Sequence, residues 1–275
     1  GAPTLNRALS AFRDEPMSDE DALRWLWLAC RAARALGDEA SWDELTERQV
    51  RLAREAGELS LLPIALAERF SVQLFLGDFA AAEALVVETE AVAEATGSRL
   101  APQGAILAAF CGEEAQATAL IDAGRRDVVH RGEGLWLVAT EWASAVLFNG
   151  LGRYEEALAA AEQAVEHPHE LGVSTWVPTE FIEAAARSGH PERAAGPLRR
   201  LQEISSAAGT DWALGVQARS RALLSEAKVA ESLYREAIAR LSRTRVRPAL
   251  ARAHLLYGEW LRREGRRVDA REQLR

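Results

Sequence analysis

Glycines recur along this chain wherever a helical run stops, at Gly37, Gly77, Gly112, Gly152, Gly189 and Gly265, with Ser225 in the equivalent place between the last two. The steps are 40, 35, 40, 37, 36 and 40 residues, a mean of 38. Five residues after each mark stands an alanine: Ala82, Ala117, Ala157, Ala194, Ala230 and Ala270. Only the first unit departs, with Trp42. A period in this range is the signature of a repeat architecture. Glycine ends a helix at little cost because it tolerates positive φ. The next helix must then cross back closely, and a small side chain one turn into it permits that approach. Trp42 implies a wider crossing there, or the outer edge of the first unit.

Boundary signals agree with paired helices. Ser18 with Asp21, and Ser41 with Glu44, have capping-box spacing. Pro63, Pro191 and Pro248 stand near helix starts, where a missing N–H costs little. Gly57, Gly97, Gly124 and Gly209 fall near the ends of second helices. The reading is all-α: about fourteen helices, plus a short one over 5–12. Good helix formers dominate and no alternating strand pattern persists. Two connections are longer, 125–134 and 166–174, and neither divides the chain. The expectation is one helical-repeat domain over 1–275, with a lead-in helix in 1–17 and seven degenerate repeats in 18–275. The last unit stops in helical pattern without a cap, which suggests an excerpt of a larger protein.

The formal charge of −8 argues against nucleic-acid binding by the chain as a whole. The charge is uneven. Residues 240–275 hold eleven arginines against four carboxylates, a net +7. That end reads as a solvated basic face or as a neighbour of nucleic acid or an acidic domain. Lys228 is the sole lysine, so no Gly-Lys-Ser/Thr exists to cradle phosphates. Cys30 and Cys111 sit in apolar helical runs and read as small buried hydrophobes. No secretory leader pattern and no apolar run of about 18 residues occurs, so the expected location is cytoplasmic.

Chemistry is sparse. His167-Pro-His169 with Glu166 and Glu170 is the only histidine cluster, and its spacing suits a polar loop better than a metal site. His130, His190 and His254 are scattered. The pairs Glu113-Glu114 and Glu155-Glu156 open second helices, where the helix dipole favours them. No nucleophile elbow is present. The chain reads as a non-enzyme without a cofactor.

The stretch Gly152-Arg-Tyr154-Glu-Glu-Ala157-Leu-Ala-Ala-Ala161-Glu-Gln-Ala164 resembles a tetratricopeptide second helix, and Gly77-Asp-Phe79-Ala-Ala-Ala82 matches it. Three later runs are more specific: Thr210-Asp-Trp212 through Leu224, Arg247-Pro-Ala-Leu-Ala-Arg252-Ala-His254-Leu-Leu-Tyr257-Gly-Glu-Trp260, and Gly265 through Leu274. Over 207–275 they resemble the tetratricopeptide region of large ATP-binding regulators of the LuxR type from actinobacteria. The resemblance implies a right-handed solenoid of about seven tetratricopeptide-like units, lying between an N-terminal ATPase and a C-terminal helix-turn-helix that binds DNA. It implies a regulatory sensor and scaffold that binds a small-molecule inducer, a peptide or a partner protein in a concave groove. No membrane partner follows from it, nor nucleic-acid contact along most of the chain. The alternative is a free-standing tetratricopeptide adaptor for protein–protein interaction.

In such arrays the first helices line the groove. Counting back from each turn mark, positions −13, −10, −9, −6, −3 and −2 should face inward. They give Arg99, Trp176, Trp212 and Arg252, then Trp142, then Glu68, Gln103 and Glu180. They continue with Ser71, Glu183, Arg219 and Glu259, then Asn149 and Arg262, and finally Arg187. Tryptophan and arginine are the usual anchors of binding surfaces. Trp142, Trp176 and Trp212 could equally be wedged between helices as core, while Trp25, Trp27 and Trp136 read as core.

Overall fold

A computed structural model of the chain describes residues 2–14, 17–97, 102–131, 134–165 and 176–275. Among them there is no strand. Fifteen α-helices follow one another: α1 (Ala2–Asp14), α2 (Asp19–Leu36), α3 (Glu39–Glu55), α4 (Leu62–Leu76), α5 (Phe79–Thr96), α6 (Gln103–Cys111), α7 (Glu114–Arg131), α8 (Gly134–Leu151), α9 (Tyr154–Val165), α10 (Val177–Arg187), α11 (Ala195–Ala208), α12 (Asp211–Leu223), α13 (Ala227–Leu241), α14 (Arg247–Arg263) and α15 (Arg267–Gln273). A 3₁₀ turn, Pro191–Ala194, leads into α11. Helices pack in adjacent pairs, α2 on α3, α4 on α5, and so on to α14 on α15. That is the arrangement of a helical repeat.

The spacing argument holds in detail. Every marked glycine takes positive φ, from +62° at Gly37 to +86° at Gly189. The alanines five residues on are all buried, none more than 3% exposed. Where Ser225 replaces glycine, Ala227 takes a φ of +46°, the one positive φ outside glycine among the described residues. Ser18 caps α2 through its hydroxyl, which accepts from the Asp21 amide at 3.1 Å.

Four local expectations fail. The cap of α3 is Asp38, whose carboxylate accepts from the Ser41 amide, so the helix begins before the Ser41–Glu44 pair. Asp78 caps α5 in the same way, because the residue after a turn glycine is well placed to do so. Gly124 lies inside α7, which runs on to Arg131, so 125–131 is helix and not loop. A helical glycine costs only about 1 kcal/mol and packing against α8 overrides it. Trp25 and Trp27 are each 40% exposed on α2. Their rings lie under the Arg24 and Arg31 guanidiniums instead of in the core. Cys111, the last residue of α6, is exposed at an open helix end, whereas Cys30 is buried as expected. The expected loop 166–174, with His167 and His169, lies outside the described residues.

The row of pairs curls until it meets itself. α11 packs on α2, and α14 packs on α4. Gly77 shows how close the approach is. It turns the chain at φ +81°, and a Cβ there would meet Pro248 Cδ at 3.2 Å. One continuous core joins the two ends, from Leu26, Cys30 and Trp42 to Trp212, Tyr234, Trp260 and Leu261. Trp42 is therefore no outer edge. It is 1% exposed and stacks on Trp212 at 6.3 Å.

Part of the basic C-terminal stretch serves the same closure: Arg245 bonds Asp43 across the seam at 2.8 Å. The other arginines tie neighbouring helices, Arg240 and Arg243 to Asp211, and Arg266 to Glu231 and Asp269. Among the described residues, no helix is long and apolar enough to cross a membrane.

Candidate functional site: a central aromatic cavity

Curling brings one aromatic residue from each of several helices to the middle. Phe75, near the end of α4, is the hub. Its ring lies 4.6 Å from Trp176 and 5.3 Å from Trp212. It lies 6.1 Å from each of Trp42, Phe110 and Trp142. The interplanar angles are mostly tilted, as ring quadrupoles favour. These rings do not fill the centre. All but Trp42 border a partly open, mainly apolar cavity of about 690 Å³. That is within the range of small-molecule sites. The exposed residues Leu151, Arg247, Ala251 and Leu255 mark its opening.

One side of the wall is charged. Arg34 bonds both oxygens of buried Glu68, at 3.1 and 3.3 Å, and sits over the Trp176 ring at 5.5 Å. Its Nε has no partner. Burial pulls the Arg34 pKa below the usual arginine value, against the pull of Glu68. Arg252 grips Glu183 with two nitrogens and donates to the Asn149 carbonyl at 3.2 Å. Burial opposes its charge, but the Glu183 carboxylate wins and holds its pKa above normal. The Asn149 amide donates to Glu180 at 2.9 Å. Burial, then the neighbouring Glu183, raise the Glu180 pKa. Arg219 is 5% exposed, and burial lowers its pKa. Among the described residues its only hydrogen bond is a long one from Nη1 to the Ala249 carbonyl, 3.5 Å, and its Nε has no partner.

The residues expected to face inward divide into groups. Trp142, Trp176, Glu180, Trp212, Arg219 and Arg252 line the cavity. Asn149 and Glu183 support that wall from behind, and Arg187 pairs with Glu259 from α10 to α14. Glu68 is buried behind Arg34 and also accepts from the Trp42 indole. Gln103 is buried in α6 and its amide nitrogen lacks a partner. Ser71 only bonds back to the Ala67 carbonyl. Arg262 is exposed and does not line the cavity. Arg99 lies outside the described residues. Trp142 is both wall and core, at 2% exposure, and its indole nitrogen has no partner. Trp136 is half-buried against the same core.

Sequence reasoning overlooked Arg34, Phe75, Phe110 and Val216, which also line the cavity. The signal was present: Phe75 and Phe110 hold position −2, Arg34 holds −3 and Val216 holds −9. Nothing local marked Trp42 as central, because it lies on a second helix and meets Trp212 only through the curl.

Among the described residues no three His, Cys, Asp or Glu side chains gather as a metal site requires. No family model matches the chain, and no curated protein matches it.

Proposed function

We propose that this chain is the ligand-sensing repeat region of a LuxR-type ATP-dependent transcriptional regulator. On this reading the helix pairs are about seven degenerate tetratricopeptide units in a right-handed solenoid, and the cavity at its axis takes a small-molecule inducer. The observation that carries the ligand part is the partly open 690 Å³ cavity walled by α4, α8, α10 and α12 together. A molecule lodged there would touch helices far apart in sequence. It would therefore bind the curled arrangement better than an opened one, which is the differential affinity that a sensor needs. Flanking ATPase and DNA-binding domains would read that change. The transcriptional part rests on the resemblance over 207–275.

The test uses the full-length protein, with and without residues 1–275 of this chain. Ligand-responsive DNA binding should vanish on deletion. If the response persists unchanged, the sensor role is wrong.

The adaptor reading has one observation in its favour. Trp25, Trp27 and Leu28 stand 40–41% exposed on one helix, a surface a protein partner could cover. Under that reading Trp25→Ser with Trp27→Ser abolishes partner capture and leaves the cavity untouched.

A further inference from the structure

The cavity wall carries an unbalanced charge, and this narrows the chemistry of what fits. Three guanidiniums border the cavity on its inner side, Arg34, Arg219 and Arg252. Two have their own carboxylates: Glu68 for Arg34 and Glu183 for Arg252. Arg219 does not. Its five N–H groups share a single 3.5 Å hydrogen bond to a carbonyl, although the residue is only 5% exposed. Leaving a buried cation without good acceptors is costly, so such a group is a strong attractor for an anion. Glu183 and Glu180 act on Arg219 through their charge, but neither hydrogen-bonds it: the Glu180 carboxyl is engaged by Asn149 and the Glu183 carboxylate by Arg252. At the opening Arg247 is exposed and adds a further positive charge. The rest of the wall is aromatic and aliphatic.

Resting on the small-molecule reading above, we infer that the cavity selects an organic anion with a flat ring system. Its acid group meets Arg219 and its rings lie among Trp142, Trp176 and Trp212. A cationic ligand would face three guanidiniums. A neutral one would bring Arg219 no charged acceptor. An acid group supplies the missing acceptors in a place where charge-assisted hydrogen bonds are strong.

Two dyes that share one ring skeleton and differ in a sulfonate separate these outcomes: anionic 1-anilinonaphthalene-8-sulfonate and neutral N-phenyl-1-naphthylamine. Binding is read by energy transfer from the cavity tryptophans. The anionic dye should bind once per chain and about tenfold or more tighter than the neutral one. Arg219→Met should bring the anionic dye to the neutral dye's affinity and leave the neutral dye within about twofold. Ala251→Glu, at the exposed rim where folding is not at stake, should weaken the anionic dye several-fold and spare the neutral one. Equal affinities in the unsubstituted chain, or equal loss of both dyes in either variant, overturn the anion preference while the cavity reading stands. If neither dye binds, the small-molecule reading falls with it.

Discussion

The Thr210 hydroxyl donates to the Leu36 carbonyl at 3.0 Å, across 174 residues of sequence. The same oxygen accepts from the Ala213 amide at 3.3 Å and so caps α12. One side chain thus satisfies an end of two helices, the C-terminus of α2 and the N-terminus of α12, at the point where the curl closes. Thr210→Val keeps the shape and removes both bonds. It should cost about 1–2 kcal/mol in urea unfolding, and Thr210→Ser should restore most of it.

Asp43 makes the neighbouring tie across the seam, to Arg245, and also pairs with Arg69 on the adjacent α4. Burial works to raise its pKa, but hydrogen bonds from Arg245 and Arg69 hold it below the usual value. A depressed carboxylate adds stability that is present above its unfolded pKa of about 3.9 and is lost as pH falls through the folded one. Asp43→Asn should therefore be destabilising at pH 7, and the difference from the parent should shrink as acid unfolding is approached. A constant difference across that range would remove the ion pair from the account.

Glu180 has the opposite sign. Its folded pKa is raised by burial and by Glu183, so folding pays an increasing penalty as pH rises from about 4.3 through the folded value. Glu180→Gln keeps an acceptor for Asn149 and removes the charge. It should melt higher than the parent at pH 7 and equal to it near the unfolded pKa. Lower melting at both pH values would show that the carboxylate stabilises the fold.

Ala157 is fully buried where α9 crosses α8. Ala157→Trp should force that crossing open and cost roughly 1–3 kcal/mol or more. Unchanged thermal unfolding would count against the alignment of turn marks and alanines.

Trp142 and Trp176 both line the cavity but differ in burial. Trp142→Ala should cost about 3–5 kcal/mol in stability, as a fully packed aromatic does. Trp176, half-buried, should cost less when truncated and should weaken cavity binding more than folding. Chemical unfolding of both variants beside dye titration separates the two roles.

Helix pairing was legible because its causes are local. A glycine stops a helix through its own φ, and an alanine one turn into the next helix admits its neighbour through its own size. Gly152 and Ala157 needed nothing beyond their spacing to be read. Trp176, Trp212 and Arg252 could be aimed inward for the same reason, since a helix face is set by residue number. Local spacing could not say how far inward, or against what. Trp25 and Trp27 carry the apolar signal of core residues, yet no helix covers them. Trp42 lacks the small-residue signal and is among the most deeply buried.

That difference has a geometric origin. The helix pairs follow one another until Thr210 reaches Leu36, Arg245 reaches Asp43 and Pro248 closes on Gly77. Spacing along the chain carries the pairing of neighbours. Closure, the cavity it encloses and the poorly matched Arg219 at its wall arise only from contacts between residues far apart in sequence, which no short stretch of residues encodes.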